Sequence, residues 1–196
     1  RKHKNILIIS GLGSMAAALI VSSTLSIPVL LATAGLSLLG VSYSIPVVPK
    51  SRRSIWQYSK IKDIPGSKTL SQALAWAARM SLLPLLEPEG VSWGAALITF
   101  LFVFAVVYVR GGLFDILELQ GDMIVGRETL PIAIGERRTL YLLKGIIIGG
   151  ALLSILGPLV APVSPVSYLF PLCFLGLRLT ILAYEKRWLY PGIGLE

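Results

Sequence analysis

Acidic residues are few in this chain, and three of them stand at a spacing that could do chemistry. In Gly111–Gly135, GGLFDILELQGDMIVGRETLPIAIG, the carboxylates Asp115, Glu118 and Asp122 fall at i, i+3 and i+7, within about 60° of one another on a helix. Three carboxylates on one stripe repel unless a cation sits among them. Magnesium suits that donor set, because it takes carboxylate and diphosphate oxygens and keeps several waters. The ordinary alternative is a solvated helix face; an acidic run beside a membrane exit, among otherwise basic loops, favours a metal site. The second constellation is Tyr43–Lys68, YSIPVVPKSRRSIWQYSKIKDIPGSK, with the cations Lys50, Arg52, Arg53, Lys60, Lys62 and Lys68 and one acid, Asp63. Cations near an acidic stripe fit a diphosphate, bridged by magnesium to the carboxylates and held by Lys and Arg at its remaining oxygens. The alternatives are that basic loops merely orient the chain or meet anionic lipid head groups. Arg79 lies in the middle of an apolar stretch and is a candidate cavity residue, whereas Arg178 can snorkel.

The elements that must position these groups are membrane helices. Of 196 residues 55% are hydrophobic and 14% charged, and the mean hydropathy is +0.78. A soluble domain is nearer one quarter charged, so a secreted disulfide scaffold, a disordered regulator and an ordinary cytosolic enzyme are excluded. About 20 apolar residues cross a bilayer as a helix. The pattern predicts six spans at 5–27, 29–48, 70–86, 91–109, 139–161 and 168–184, with Pro158, Pro162 and Pro165 dividing the last two. The first is too long for a signal peptide and is followed by further spans. Segments 49–69 and 110–138 become cytoplasmic loops in one membrane domain, 1–196.

Charge tests this count. With the N-terminus cytoplasmic, sixteen of the eighteen Lys and Arg residues fall on one side, including Lys144 at a helix end, and the opposite loops, 87–90 and 162–167, carry none. That asymmetry is the positive-inside pattern, and a wrong helix count would scramble it. The predicted class is an all-α, polytopic transmembrane bundle in a lipid bilayer, with any active site towards the cytoplasmic face. Trp93 with Tyr108, and Tyr168 with Tyr184, bracket two spans.

Several other signals carry less. Gly11, Gly13 and Ala16 have a dinucleotide-fold spacing, but no acid follows about 20 residues later. Small residues that let helices approach closely explain them better, as they do Gly145 and Gly149. Cys173, the single cysteine, reads as a buried apolar residue, and His3 is alone. No nucleic-acid module is present, and the net charge of +8 is explained by topology.

The stretch D-x-x-E-x-x-G-D-x-x-x-G-x-x-T-L-P, Asp115 to Pro131, resembles the second aspartate-rich motif of the UbiA superfamily of intramembrane prenyltransferases. Tyr43-Ser44-x-Pro46-x-x-x-Lys50 is similar to that family's Y-S-x-P…K segment, and Lys62–Ala77 to the start of its following helix. The resemblance implies nine membrane helices around a central cavity, of which this chain would supply six. It implies two aspartate-rich motifs that bind Mg²⁺ and a polyprenyl diphosphate, and transfer of the prenyl group to a hydrophobic acceptor. On that resemblance Asp115, Glu118 and Asp122 are metal or diphosphate ligands, with Asp115, Asp122 and Tyr43 catalytic. Lys50 and Arg127 would contact diphosphate. Glu118 stands where many members have Asp. The family's first motif, N-D-x-x-D-x-x-x-D, is missing: before Glu87 the only acid is Asp63. The expectation is therefore a central and C-terminal portion of a longer enzyme, inactive alone. The competing readings are a non-catalytic membrane scaffold and an anionic-lipid transporter.

Overall fold

A computed structural model describes residues 4–43, 64–86, 91–126, 129–161 and 164–188. A helix lies in each of the six predicted spans, residues 44–48 of the second being outside the described ones: α1 (Lys4–Leu25), α2 (Ile27–Ser42), α3 (Ser67–Leu85), α4 (Trp93–Leu117), α7 (Glu136–Val160) and α8 (Phe170–Glu185). Two short helices, α5 (Leu119–Val125) and α6 (Leu130–Ile134), lie between α4 and α7, and a 3-10 turn (Pro165–Leu169) leads into α8. Among the described residues there is no strand. Four helical segments are long and apolar enough to cross a membrane: Ile8–Leu25, Trp93–Leu117, Glu136–Val160 and Pro165–Glu185. The chain is thus consistent with an integral membrane protein. The other two helices fall short for different reasons. At 16 residues, α2 spans only about 24 Å, and α3 carries Lys68, Arg79 and Gln72 among its 19 residues.

The segment 110–138 is not the open loop expected from its polarity. Helix α4 runs eight residues past position 109, so its 25 residues extend about 37 Å, beyond the roughly 30 Å of a bilayer's hydrocarbon core. Its last turns, with Asp115, are therefore helical. Pro158 sits in the last turn of α7, which ends at Val160, one residue short of the predicted end of that span.

The core lies between α4, α7 and α8. Val109, Leu113 and Ile116 of α4 meet Leu140, Leu143 and Ile147 of α7 and Phe174 and Ile181 of α8. Phe102 stacks on Phe170, with centroids 4.0 Å apart, and meets Phe174 edge-on at 5.6 Å. In lipid, such packing rather than burial from water holds helices together. Helix α3 covers another side of α4 through Thr69, Ala73, Ala77 and Ser81, a buried row at every fourth residue. Among the described residues helix α1 packs only on α2, and α2 then on α3.

The close approaches use other glycines than the spacing indicated. Nothing lies within 4 Å of where a Cβ would stand on Gly11, Gly13, Gly145 or Gly149. A Cβ on Gly150 would instead come within 2.3 Å of the Phe174 ring, and one on Gly157 within 3.0 Å of Ile98. Cys173 is exposed rather than buried, beside the exposed Leu172 on α8. An apolar helix face turned towards lipid explains an exposed thiol without assigning it chemistry. Trp93 and Tyr168 are exposed, as interfacial aromatics should be, while Tyr108 and Tyr184 pack against the core.

Candidate functional site

The three carboxylates sit where α4 gives way to α5. Glu118 occupies the junction with φ −87° and ψ 2°, in the sparsely populated region between helix and extended backbone. Helical hydrogen bonding nevertheless continues across it: the Glu118 N–H donates to the Phe114 carbonyl and the Asp122 N–H to the Glu118 carbonyl, both at 2.9 Å. The stripe is thus divided between two helices and bent at its middle member. Helix α5 ends at Gly126 with φ 71°, a left-handed stop that glycine adopts without strain.

Burial separates the three. Asp115 and Asp122 are each only 4% exposed, while Glu118 is exposed. A solvated acidic face would have all three in water, so that alternative fails for both aspartates. A buried carboxylate is costly unless partnered. For Asp115 the partner is Thr69 on α3, whose hydroxyl donates to Oδ2 at 2.6 Å. The charges of Lys68, Asp122 and Glu118 also reach Asp115.

Two neighbouring glycines make this possible. A Cβ on Gly111 would stand 2.8 Å from Thr69 Cγ2, and one on Gly112 would stand 2.8 Å from Leu143 Cδ2. Helix α4 is thereby drawn against α3 on one side and α7 on the other. At the far end of the motif, Leu130 packs against Gly66, where a Cβ would be 3.2 Å away and φ is +72°. The T-L-P end thus braces the turn that starts α3.

Three hollows meet these residues. A polar one of about 220 Å³ is lined by Lys68, Thr69 and Gln72 of α3 and by Arg110, Asp115 and Glu118. A second, of about 290 Å³, lies between Glu118, Gly121, Asp122 and Val125, so Glu118 borders both. The third is apolar, about 580 Å³, between α2 and α3; Leu36, Leu39, Tyr43, Leu74 and Phe100 line it, a size typical of small-molecule sites. Lys68 and Gln72 line both this apolar hollow and the polar one, so the two adjoin there.

The structure therefore brings Tyr43, at the end of α2, into the same neighbourhood as Asp115 and Glu118 through Lys68 and Gln72. Lys50 and Arg127 lie outside the described residues. Arg79 is exposed and lines none of these hollows. Thr69, Gln72 and the particular importance of Lys68 and Arg110 escaped sequence reasoning. The signal was present in S-K-T-L-S-Q, where five of the first six residues of α3 are polar.

Among the described residues no three acidic, imidazole or thiol groups converge to the spacing of an ion's complete ligand set. The donor chemistry still fits magnesium, whose usual protein ligands are one or two carboxylates, the rest being water and substrate phosphate oxygens. Asp115 with Glu118, or Asp122 with Glu118, are the pairs that could hold it. No family model, no curated protein and no solved structure matches the chain.

Proposed function

We propose that the protein is an intramembrane prenyltransferase that moves an isoprenyl group from a polyprenyl diphosphate to an aromatic, quinone-precursor or lipid acceptor. The observation that supports this reading most is the burial of Asp115 and Asp122 next to a polar hollow that adjoins an apolar one. An amphiphile with an anionic head and an apolar tail suits such a pair of adjoining spaces. The motif Asp115–Pro131 supplies the same class by resemblance, and the positive-inside asymmetry puts the site towards the cytoplasmic face.

In this reading the head group occupies the space bordered by Asp115, Glu118, Lys68 and Arg110. Lys68 and Arg110 donate to diphosphate oxygens and hold the head group in place. Bound magnesium, held by two of the three carboxylates, would neutralise the charge that grows on the departing diphosphate. The prenyl C1–O bond breaks and the diphosphate leaves with the electron pair; an acceptor atom bonds to C1 and gives up its proton. The apolar walls, Leu36, Leu39 and Phe100 among them, exclude water that would capture the allylic cation. Tyr43 lines that space, where the face of its ring can stabilise positive charge.

The test is release of pyrophosphate by the full-length gene product in lipid nanodiscs, across several isoprenyl diphosphates and acceptors. Release should depend on Mg²⁺ and fall by about 10²-fold or more in Asp122→Asn, the scale on which removal of a charge-stabilising group acts. No release with any pair, or undiminished turnover in Asp122→Asn, would overturn the assignment.

A further inference from the structure

Among the described residues, Lys68 and Gln72 are the two that line both the polar hollow and the apolar one. They stand at i and i+4 on α3, on one face of the helix and about 6 Å apart along its axis. The other side of α3 is pinned. Thr69, next to Lys68, and Ala73, next to Gln72, are buried; Thr69 donates to Asp115 at 2.6 Å; and Leu130 packs against Gly66 just before the helix starts. Lys68 and Gln72 are themselves exposed, so their side chains meet the two hollows rather than the protein core.

The two differ in chemistry. Lys68 brings a positive charge. Arg110, also lining the polar hollow and held 4.9 Å from the centre of the Phe114 ring, brings another. Two cations suit the charge-bearing oxygens of a diphosphate. Gln72 is neutral and carries two N–H donors and a carbonyl acceptor. An amide turned towards a largely apolar hollow is costly unless it meets a partner there.

We infer that the Gln72 amide donates to the oxygen that leaves the prenyl C1, which makes Gln72 a catalytic residue of the transfer. The inference rests on the prenyltransferase reading: with the head group in the polar hollow and the tail in the apolar one, the bond between them falls where the hollows adjoin, beside Gln72. As the C1–O bond breaks, both electrons stay on the oxygen and negative charge collects there. The amide keeps its own protons and stabilises that charge by hydrogen bonding alone. The acceptor atom bonds to C1, and the proton it loses goes to the released diphosphate. A neutral donor suits this position, because a cation next to C1 would oppose the positive charge growing on the allylic carbon. Lys68, one turn nearer the start of α3, holds the charge-bearing end of the diphosphate instead.

The experiment compares Gln72→Leu and Gln72→Asn with the unaltered full-length protein in lipid nanodiscs. Leucine and asparagine are close in size, and only asparagine keeps an amide. Pyrophosphate release at saturating isoprenyl diphosphate should fall about 10²-fold in Gln72→Leu, while KM changes by less than about threefold. Gln72→Asn should retain about tenfold more turnover than Gln72→Leu. Tm, and binding of an unreactive isoprenyl thiolodiphosphate, should be the same in all three proteins, because Gln72 is exposed; a merely structural role would move both. Undiminished turnover in Gln72→Leu, a loss confined to KM, or equal losses in the two variants would overturn the role of Gln72 and leave the prenyltransferase reading in place. No release by the unaltered protein from any isoprenyl diphosphate would overturn both.

Discussion

The Thr69–Asp115 hydrogen bond offers the sharpest test of how the candidate site is held together. It joins α3 to α4 at 2.6 Å, and its partners are 5% and 4% exposed. Thr69→Val keeps the shape of the side chain, including the methyl against Gly111, and removes only the donor. A buried carboxylate then loses its partner, a change that costs about 1.5–3 kcal/mol for a hydrogen bond to a charged group. Thr69→Ser keeps the donor and gives up one methyl, so it should cost about 1 kcal/mol or less. The assay is reversible unfolding in mixed micelles, followed by helical circular dichroism as the share of denaturing detergent rises. A double-mutant cycle with Asp115→Asn isolates the pair and should return a coupling of about 1 kcal/mol or more. If Thr69→Ser proves as damaging as Thr69→Val, or the coupling is near zero, the hydrogen bond is not what holds α3 to α4 at this point.

Further outcomes follow from the packing. Gly150→Ala should destabilise by about 1–3 kcal/mol through collision with Phe174, and Phe174→Leu in the same chain should restore part of the loss in the same unfolding assay. Gly145→Ala, where a Cβ meets nothing within 4 Å, should be neutral or stabilise by up to about 1 kcal/mol. Glu185→Gln should cost less than about 1 kcal/mol, because the pair with Lys144 is partly exposed, and the cost should fade as salt is added.

Hydropathy made the helices legible because a run of some 20 apolar residues in a chain this polar-poor has few other uses. It ended the fourth span at 109 because it reads polarity rather than backbone: Arg110 and Asp115 lower the hydropathy, although α4 runs on through them to Leu117. Glycine spacing was misread for a related reason. Gly145 and Gly149 recur at the interval of a close helix contact, but which side of α7 meets α8 is set by tertiary packing, and that side carries Gly150. The acidic cluster was visible in sequence; its division into two buried aspartates and one exposed glutamate was not. Nor could sequence alone pair Thr69 with Asp115, since the two lie 46 residues apart; the polar start of α3 marked Thr69 without naming its partner.

The adjacency of Gly111 and Gly112 links these features into one cause. Consecutive residues on a helix point about 100° apart, so two small residues in succession let α4 meet two neighbours at the same level. Gly112 admits Leu143 of α7, and Gly111 admits Thr69 of α3. One turn further on, at i+4 from Gly111, Asp115 lies on the face that α3 now covers, and the threonine that fills the space beside Gly111 is the one that donates to it. The approach that buries the carboxylate therefore also delivers its partner. A larger residue at 111 would push α3 away, expose Asp115 to water and break its hydrogen bond together. On this argument Gly111→Val should disturb the polar hollow more than any conservative change to the carboxylates, although position 111 itself carries no chemical group.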